Sequence, residues 1–317
     1  MKILVTGASG FVGSKFIEYV LNNSNHEIMG IGRKDRYNQD YDYVKQDLLQ
    51  PFSEKILNYN PDVIVHCAAL SSPWGTKEDF YQNNVKVTEN MIELAILKNS
   101  RFIYISSSSV FYQNIDQFDI TENTIKPNQF ANEYAETKFM GELVVKEKLN
   151  NYTILRPRAV FGPGDTVLFP RIIKVGKIPY IKNKDVIGDL IYIDNLSFYI
   201  LKSCETKVVG DFNLTNNEPV RIHEFLEEIF KKLSLPYKKI SISIPLAMTF
   251  AKSLEKIYRF FNIKKEPPIT TFGVGVFSYS KTFNVEKTLK QFGEPPYSNE
   301  QGITNFINWF KSNGEIK

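Results

Sequence analysis

The sequence predicts an α/β protein, in which a doubly wound parallel sheet is followed by a smaller α+β region toward the C-terminus. Two observations lead to this fold class. Short, nearly all-apolar runs of strand length recur through residues 1–200, and amphipathic runs of helix length separate them. Strands covered on both faces are apolar throughout, and alternating strands and helices form βαβ units, so the strands are expected to run parallel.

Five strands and three helices are predicted in the first half of the chain, and the pattern becomes less regular after Gly162-Pro163-Gly164. The strands cover residues 2–6, 27–31, 62–68, 102–106 and 152–157. The helices cover 11–22, 82–98 and 132–149, and a strand end followed by a helix is expected in 189–204. We therefore assign 1–162 to the sheet domain, with 187–204 returning to it, and 163–186 and 205–317 to the smaller region.

Composition and charge exclude several classes of protein. The chain has 317 residues, 43% hydrophobic and 23% charged, as is ordinary for a globular protein. Its 39 basic and 35 acidic residues are interspersed and leave a net charge of +4, so no nucleic-acid partner is expected. The two cysteines lie far apart and the three histidines lack ligand spacing, so no metal site is predicted. The start MKILVTG has no signal-peptide pattern, and we expect a cytoplasmic protein.

A glycine turn follows the first predicted strand. VTGASGFVG places Gly7, Gly10 and Gly13 between that strand and the first helix. Such glycines allow a tight turn, close approach of backbone N–H groups to a pyrophosphate, and close packing of the helix on the strand. The alternative is a glycine-rich turn that binds nothing, but the βαβ context favours a dinucleotide and hence a Rossmann-type sheet.

A Tyr-x-x-x-Lys pattern occurs three times, at 41–45, 134–138 and 180–184. Only Tyr134 and Lys138 lie on a convincing amphipathic helix, where positions four apart share one face. A tyrosine has an ordinary pKa of about 10 and is a poor base at neutral pH. A neighbouring ammonium favours the phenolate, so we expect Lys138 to lower the pKa of Tyr134. The alternative is a surface tyrosine beside a surface lysine.

The Gly-x-x-Gly-x-x-Gly spacing and this pair together resemble the extended short-chain dehydrogenase/reductase family, also known as the NAD-dependent epimerase/dehydratase superfamily. Members carry a catalytic Ser or Thr three residues before a Val at the end of the preceding strand. In the run Ser106 to Ser109, Val110 matches that Val, so the resemblance implies Ser107, Tyr134 and Lys138 as the catalytic set. Phe111-Tyr112 replaces the family's aromatic-Gly, which leaves the register of the serine open by one residue.

The same resemblance implies further cofactor contacts, each at a position that matches a family motif. Asp47-Leu48 matches an adenine-side Asp-Leu pair, and Asn84 matches an Asn-Val-x-Gly-Thr helix start with Val87 in place of Gly. The predicted cofactor-binding residues are Gly7, Gly10, Phe11, Gly13, Arg33, Asp47, Leu48, Ala68, Ala69, Asn84, Tyr134, Lys138 and Pro157.

The residues after the second strand bear on the choice between NAD and NADP. A carboxylate at this strand end grips the ribose 2′-hydroxyl of NAD, whereas this strand ends in Gly32-Arg33, with Lys34 and Arg36 nearby. A guanidinium suits a 2′-phosphate, so NADP is favoured, with NAD the second choice. The alternative is that Arg33 is a solvated loop cation or stacks on adenine, while Asp35 grips the ribose.

The run ILRPRAVFGPGD is the most informative for substrate. Sugar-nucleotide enzymes of the family carry Asn where this chain has Ala159, and Arg where it has Gly188. The chain instead resembles the 3β-hydroxysteroid dehydrogenase and bacterial 2-alkyl-3-oxoalkanoate reductase branch, which implies interconversion of a secondary alcohol and a ketone on a mostly apolar substrate. The alternatives are a nucleotide-sugar epimerase or dehydratase with retained NAD, and a cofactor-binding scaffold without turnover. By analogy a homodimer is expected.

The segment 244–261 carries apolar residues at helical spacing, with cationic residues at other positions. Its pattern fits a helix packed in the core, which is the favoured interpretation because most such stripes are buried. It also fits a helix that lies on a membrane surface or over an apolar pocket. The sequence leaves these alternatives open.

Overall fold

The structure, a computed structural model, describes residues 1–36, 40–166 and 168–313. It confirms the predicted fold class, a seven-stranded Rossmann-type sheet of parallel strands with helices on both faces. Fifteen strands are present in the described residues: β1 (Lys2–Thr6), β2 (Glu27–Gly32), β3 (Asp42–Lys45), β4 (Val63–His66), β5 (Arg101–Ile105), β6 (Gln117–Ile120), β7 (Tyr152–Pro157), β8 (Val160–Phe161), β9 (Lys177–Tyr180), β10 (Ile187–Gly188), β11 (Ile191–Tyr192), β12 (Gly210–Leu214), β13 (Val220–Arg221), β14 (Lys238–Ser241) and β15 (Lys281–Phe283).

Twelve α-helices are present in the same described ranges: α1 (Phe11–Asn23), α2 (Glu54–Asn58), α3 (Lys77–Tyr81), α4 (Val87–Lys98), α5 (Glu133–Lys148), α6 (Phe169–Val175), α7 (Ile193–Glu205), α8 (Ile222–Leu233), α9 (Ile244–Phe260), α10 (Thr271–Val276), α11 (Glu286–Phe292) and α12 (Asn299–Ser312). A π-helical turn, Gln82–Lys86, precedes α4, and a 3-10 turn, Ser108–Phe111, follows β5. In the part of the chain that is described, no helix is long and apolar enough to span a membrane.

The order of strands in the main sheet is β12-β7-β5-β4-β1-β2-β3. The chain builds outward from β1 in one direction through β2 and β3, then returns to add β4, β5, β7 and β12 on the other side. The direction of winding therefore reverses between β1 and β4. In sheets of this kind a ligand binds at the carboxyl ends of the strands where the order reverses, so the fold itself predicts the location of a site.

Two hydrophobic cores lie on opposite faces of this sheet. One core includes Phe16 and Val20 of α1 and Tyr199 of α7, which are all buried. The other includes Met91 of α4 and Val145 of α5. Three smaller sheets complete the fold, with strand orders β13-β10-β15-β6, β11-β8 and β14-β9.

The division of the chain into two regions needs one correction. Strand β12 pairs in parallel with β7 along its whole length, so residues 210–214 belong to the main sheet and not to the smaller region. Because this strand begins with a glycine and an aspartate rather than with apolar residues, the sequence pattern did not predict it. The edge strand β3 was also absent from the prediction, because its residues Asp42 to Lys45 have little apolar character.

The core interpretation of segment 244–261 is wrong. In α9 only Ala251 is buried, while Leu246 is 74% exposed and Phe250 58% exposed. Just beyond the helix, Phe261 is 66% exposed. An apolar stripe of this size on the surface is a feature of binding faces.

Candidate active site

The glycine turn forms as its spacing predicts. Gly7 has a φ of +68°, and a Cβ there would lie 2.8 Å from the backbone nitrogen of Ala68, at the end of β4. A Cβ on Gly13 would lie 2.3 Å from the carbonyl oxygen of Gly7. Neither position has room for a side chain, and Gly7 needs the left-handed conformation that glycine adopts without strain. The N-terminus of α1 is therefore held against the carboxyl ends of β1 and β4.

A cavity of about 230 Å³ opens from this turn across the ends of β1, β2 and β4. It lies where the winding direction reverses. Seven of the predicted cofactor residues line it: Gly7, Gly10, Arg33, Asp47, Leu48, Ala68 and Ala69. Phe11, Gly13, Asn84, Tyr134, Lys138 and Pro157 are not part of its wall. The backbone cradle at one end and the cation at the other suit the pyrophosphate and adenosine of a dinucleotide.

The charged residues at the end of this cavity opposite the glycine turn differ in whether they line the cavity. Arg33 lines the cavity and donates a hydrogen bond to Oδ1 of Asn83 at 3.1 Å. Asp35 does not line it and forms an ion pair with Lys45, 2.7 Å between Nζ and Oδ2. Asp47 accepts a hydrogen bond from the backbone N–H of Leu49. The charged side chains that line the cavity directly after β2 are thus the cations of Arg33 and Lys34 rather than the carboxylate of Asp35.

Ser107 and Tyr134 meet at the end of β5. Ser107 is buried, and its hydroxyl accepts a hydrogen bond from the backbone N–H of Ser109 at 3.1 Å, which starts the 3-10 turn. Its side chain also hydrogen-bonds that of Tyr134. Burial raises the pKa of Tyr134, and this hydrogen bond opposes the rise. Among the protein's own groups Lys138 does not contribute, so the expected lowering of the Tyr134 pKa by Lys138 is not seen.

Lys138 is buried one turn further along α5. Its ammonium lies 4.1 Å from the centre of the Tyr104 ring, a favourable cation–π contact. Burial lowers the pKa of Lys138 to about 7, although the Glu142 carboxylate partly opposes this. Within the described residues, no side chain or carbonyl accepts a hydrogen bond from this ammonium. Three donor hydrogens at the base of the site are thus available to a ligand such as the ribose hydroxyls of a dinucleotide.

This burial predicts how stability depends on pH in the protein stripped of dinucleotide. The pKa of Lys138 is about 7 in the folded chain and 10.5 in the unfolded chain. Between these values the unfolded chain binds more protons, so the free energy of unfolding should rise as pH is raised from about 7 to about 10.5. Lys138→Met should therefore be more stable than the wild type at pH 7, by roughly 2–5 kcal/mol, and the difference should shrink above pH 10. Urea unfolding at several pH values measures this.

The matched control is Lys231→Met, on the exposed face of α8, which should show no such pH-dependent difference. Equal stability of Lys138→Met and the wild type at pH 7 would mean that the ammonium has a partner in the folded chain, which contradicts this description of the site.

A buried ion network ties the serine strand to the tyrosine helix. Arg156 on β7 binds Glu142 on α5 through two hydrogen bonds, from Nε at 2.8 Å and from Nη2 at 2.6 Å. Both side chains are fully buried. Ser106 donates to the same carboxylate, and Asp211 on β12 accepts from Nη2. Because Ser106 precedes Ser107, this network fixes the serine relative to α5. The sequence pattern alone did not predict this network, although an arginine inside an apolar strand is a signal for one.

Asn84 lies within the π-helical turn and is fully engaged by the protein. Its Oδ1 accepts from the backbone N–H of Leu70 at 2.7 Å, and its Nδ2 donates to Thr137 Oγ1 at 3.0 Å. It therefore joins the loop after β4 to α5, at a residue between Tyr134 and Lys138. Single π-helical turns occur often at functional sites. These hydrogen bonds give Asn84 a positioning role, and the cofactor contact that the resemblance implies for it stays a prediction.

The sequence profile of one enzyme family matches residues 3–214, two thirds of the chain, and it is described as the NAD dependent epimerase/dehydratase family. The chain belongs to that family. It is an NAD(P)-dependent oxidoreductase of the extended short-chain class, as the resemblance implied.

Relatives and solved structures agree with this assignment. A 2-alkyl-3-oxoalkanoate reductase from Shewanella oneidensis is 28% identical, over 91% of this chain and 81% of the relative. A decarboxylating sterol-4-alpha-carboxylate 3-dehydrogenase from Candida albicans is 27% identical, over 97% of each. The structure of a UDP-glucuronic acid 4-epimerase from Bacillus cereus in complex with NAD superposes with a TM-score of 0.75, covering 98% of this chain and 97% of that one. At 21% identity this last likeness shows the fold alone.

The family, fold class and enzyme class are therefore confirmed. The roles of individual site residues, the choice of NADP, the homodimer and the cytoplasmic location stay predictions.

Proposed function

We propose that this enzyme interconverts a 3-hydroxy and a 3-oxo group on a mostly apolar small molecule, with NADP as the preferred cofactor. The observation that supports this most directly is the hydrogen-bonded pair Ser107 and Tyr134 at a strand end, with the unpartnered ammonium of Lys138 one turn away. A non-catalytic scaffold has no need of this arrangement. The names of the reductase and sterol dehydrogenase relatives describe ketone or alcohol chemistry on apolar carbon skeletons, which supports the substrate class.

The residues present fit a nicotinamide dinucleotide. The backbone at Gly7 and Gly10 can hold the pyrophosphate, and Lys138 can bind the ribose next to the nicotinamide. When bound, the nicotinamide supplies or accepts the hydride. In the direction of reduction, Ser107 holds the substrate carbonyl oxygen and Tyr134 gives its phenolic proton to that oxygen as the carbon receives the hydride. In the direction of oxidation, Tyr134 takes the hydroxyl proton.

The Tyr134 phenolate left after reduction must regain a proton. In the protein's own environment burial favours the neutral phenol. The adjacent Lys138, with a pKa of about 7, can exchange a proton with solvent at neutral pH. Lys138 can therefore supply the proton that the Tyr134 phenolate must regain after each reduction.

The preference for NADP rests on Arg33. An arginine makes bidentate contacts with phosphate oxygens, and Arg33 lines the cavity next to Gly32, together with Lys34. We expect the wild type to bind NADP more tightly than NAD, and Arg33→Ala to lose that preference by about 10–100-fold. Calorimetric titration of the protein stripped of dinucleotide measures both affinities.

Arg36→Ala is the matched control, because Arg36 is a cation nearby that does not line the cavity. Tighter binding of NAD by the wild type would refute the NADP preference but would leave the proposed reaction intact.

The epimerase alternative lacks its substrate contacts. Gly188, which stands in place of an arginine, is packed so that an added Cβ would lie 2.9 Å from Cδ1 of Ile222. Ala159, which stands in place of an asparagine, has a φ of +41°, a conformation that asparagine tolerates better than alanine. With neither side chain available to a diphosphosugar, we favour net oxidation or reduction with release of the cofactor.

We propose further that the exposed face of α9 binds an anionic lipid surface, from which an apolar substrate is taken. This apolar face consists of Leu246, Phe250, Ile257, Phe260 and Phe261, each at least 49% exposed. Lys252 and Lys256 on the same helix and Lys264 and Lys265 just after it are exposed, and none of them forms an ion pair with a described residue. Aromatic residues flanked by lysines complement the interface of an anionic bilayer.

Flotation with vesicles of phosphatidylserine and phosphatidylcholine tests this contact. The wild type should float with these vesicles, less so in high salt, and the double variant Phe260→Ser/Phe261→Ser should lose most of its binding. The control is Ile125→Ser, which removes an 87% exposed apolar side chain outside the α9 face. Failure of the wild type to float, or salt-independent self-association through this face, would overturn the proposal.

A further inference from the structure

His66 is the last residue of β4, the central strand of the main sheet, and its side chain is fully buried. In the pairing of strands it is level with Thr6 on β1 and with Tyr104 on β5. Thr6 directly precedes the glycine turn, and β5 leads into the serine run. This histidine therefore lies between the strand that leads to the cofactor turn and the strand that leads to Ser107.

Each ring nitrogen of His66 has a buried hydroxyl partner. Nδ1 lies 2.7 Å from Oγ1 of Thr6, and Nε2 lies 3.1 Å from Oγ1 of Thr88 in the first turn of α4. The hydroxyl of Thr88 has a single hydrogen, which it donates to the carbonyl oxygen of Asn84 at 2.7 Å. Toward His66, Thr88 can therefore only accept a hydrogen bond, so Nε2 carries a hydrogen.

The other nitrogen, Nδ1, is then an acceptor because the ring is neutral. Burial, together with the charge of Lys138, lowers the pKa of His66 to about 3. A neutral imidazole carries one hydrogen, so Nδ1 accepts from the hydroxyl of Thr6. The Thr6 oxygen in turn accepts from the backbone N–H of Ala68 at 3.2 Å. The partners of His66 thus select one tautomer.

This chain of hydrogen bonds joins the two halves of the site. On the Nδ1 side it ends at Ala68, which lines the cofactor cavity and whose backbone lies against Gly7. On the Nε2 side it reaches Asn84, whose Nδ2 donates to Oγ1 of Thr137 on α5. The helix α5 carries the predicted catalytic tyrosine and lysine. The imidazole is therefore the link between the cofactor turn and the catalytic helix.

The ring of His66 also supports Lys138 through Tyr104. The rings of His66 and Tyr104 stack with 5.9 Å between their centres and 22° between their planes. The ammonium of Lys138 lies 4.1 Å from the centre of the same Tyr104 ring. An imidazolium at this position would repel the ammonium, whereas the neutral ring does not. The neutral state of His66 is thus compatible with a charged Lys138.

We propose that His66 is a positioning residue that aligns the cofactor turn with the catalytic helix, with one ring nitrogen for each. This inference rests on the proposed function, in which hydride transfer needs the nicotinamide and Tyr134 in fixed relative positions. Nδ1 holds the turn that binds the dinucleotide, and Nε2 holds the helix that carries the proton donor. Loss of either hydrogen bond should therefore affect one kinetic quantity and spare the other.

Two amide substitutions separate the nitrogens. The side-chain amide of asparagine reaches the position of Nδ1, and that of glutamine reaches the position of Nε2. Because an amide can accept or donate, His66→Asn keeps an acceptor for Thr6, and His66→Gln keeps a donor to Thr88. The quantities to be measured are kcat with NADPH and 3-oxodecanoate, and the calorimetric affinity for NADP.

His66→Gln should keep the wild-type kcat, while its affinity for NADP falls about 2–10-fold, as the loss of one hydrogen bond implies. His66→Asn should keep the affinity for NADP, while kcat falls about 10–100-fold because α5 is displaced. His66→Leu should lose both. The control is His223→Leu, at the start of α8, which should change neither quantity.

Equal losses of kcat and affinity in the asparagine and glutamine variants would make His66 a purely structural residue and would overturn the proposal. Wild-type values in His66→Leu would overturn it as well.

The tautomer gives a readout on the wild type that needs no turnover. In a nitrogen-15 spectrum of the labelled imidazole, His66 should show the Nε2–H tautomer and no titration between about pH 5 and pH 9. The Nδ1–H tautomer, or titration near the ordinary value of 6.5, would overturn the proposal even if the reaction proceeds. If the wild type reduces no 3-oxo substrate, the proposed function fails, while the tautomer and the NADP affinities still support or overturn the role of His66.

Discussion

Replacing Tyr134 with phenylalanine should lower kcat by about 10²–10⁴-fold, the usual contribution of a positioned proton donor. The substitution removes only the hydroxyl that hydrogen-bonds Ser107 and would protonate the substrate oxygen. The ring of Tyr134 and the helix that carries it are retained, so binding of the dinucleotide should change little. Steady-state kinetics with NADPH and a 3-oxo substrate, together with a calorimetric affinity for NADP, separate the two effects.

The sequence itself provides a matched control. Tyr180→Phe alters another tyrosine of the Tyr-x-x-x-Lys pattern, at the end of β9 and away from α5. It should keep the wild-type kcat. Turnover by Tyr134→Phe at the wild-type rate would remove Tyr134 from the catalytic set, whatever the cofactor affinity shows.

Replacing Glu142 with alanine should cost about 3–5 kcal/mol of unfolding free energy, the usual effect of breaking a buried ion pair by removing one partner. Arg156 would lose both of its hydrogen bonds to that carboxylate while remaining buried. Ser106 would lose its acceptor as well. Urea unfolding followed by circular dichroism measures the change. Activity should fall too, because the strand end that carries Ser107 is no longer tied to α5.

An exposed ion pair gives the contrast. Glu228→Ala breaks the pair with Lys232 on α8, whose side chains are 43% and 33% exposed, and should cost about 0.5 kcal/mol or less. A loss below about 1 kcal/mol in Glu142→Ala would mean that the network contributes little to stability, contrary to its burial.

The sequence predicted the centre of the fold well, because its strands are apolar and are separated by helices of regular pattern. β1 and β7 match their predicted bounds, and α5 begins within one residue of its prediction. The glycine turn could be predicted because steric constraints act there within a few residues. The choice of 134–138 among three similar patterns agrees with the structure, in which Lys45 ends β3 and Tyr180 ends β9.

The features that the sequence did not predict all depend on contacts between distant residues. The strand β12 gains its place by pairing with β7, where Gly210 lies beside Thr153, 57 residues earlier, and the sequence of β12 mixes polar and apolar residues. The periodic stripe of α9 specifies a face but does not say whether anything covers it. The local sequence pattern thus predicts the helices and strands. The chemistry at the ends of those helices and strands depends on burial and on contacts between residues that are distant in the sequence.

The proposed reaction is tested most directly by a hydride-transfer measurement with NADPH that carries deuterium in place of both hydrogens at carbon 4 of the nicotinamide. With 3-oxodecanoate as substrate, we expect one NADP released for each hydroxy acid formed, deuterium at the carbinol carbon of the product, and loss of both in Tyr134→Phe. Turnover of a nucleotide sugar with no net change in a retained cofactor would contradict it and would favour the epimerase reaction instead.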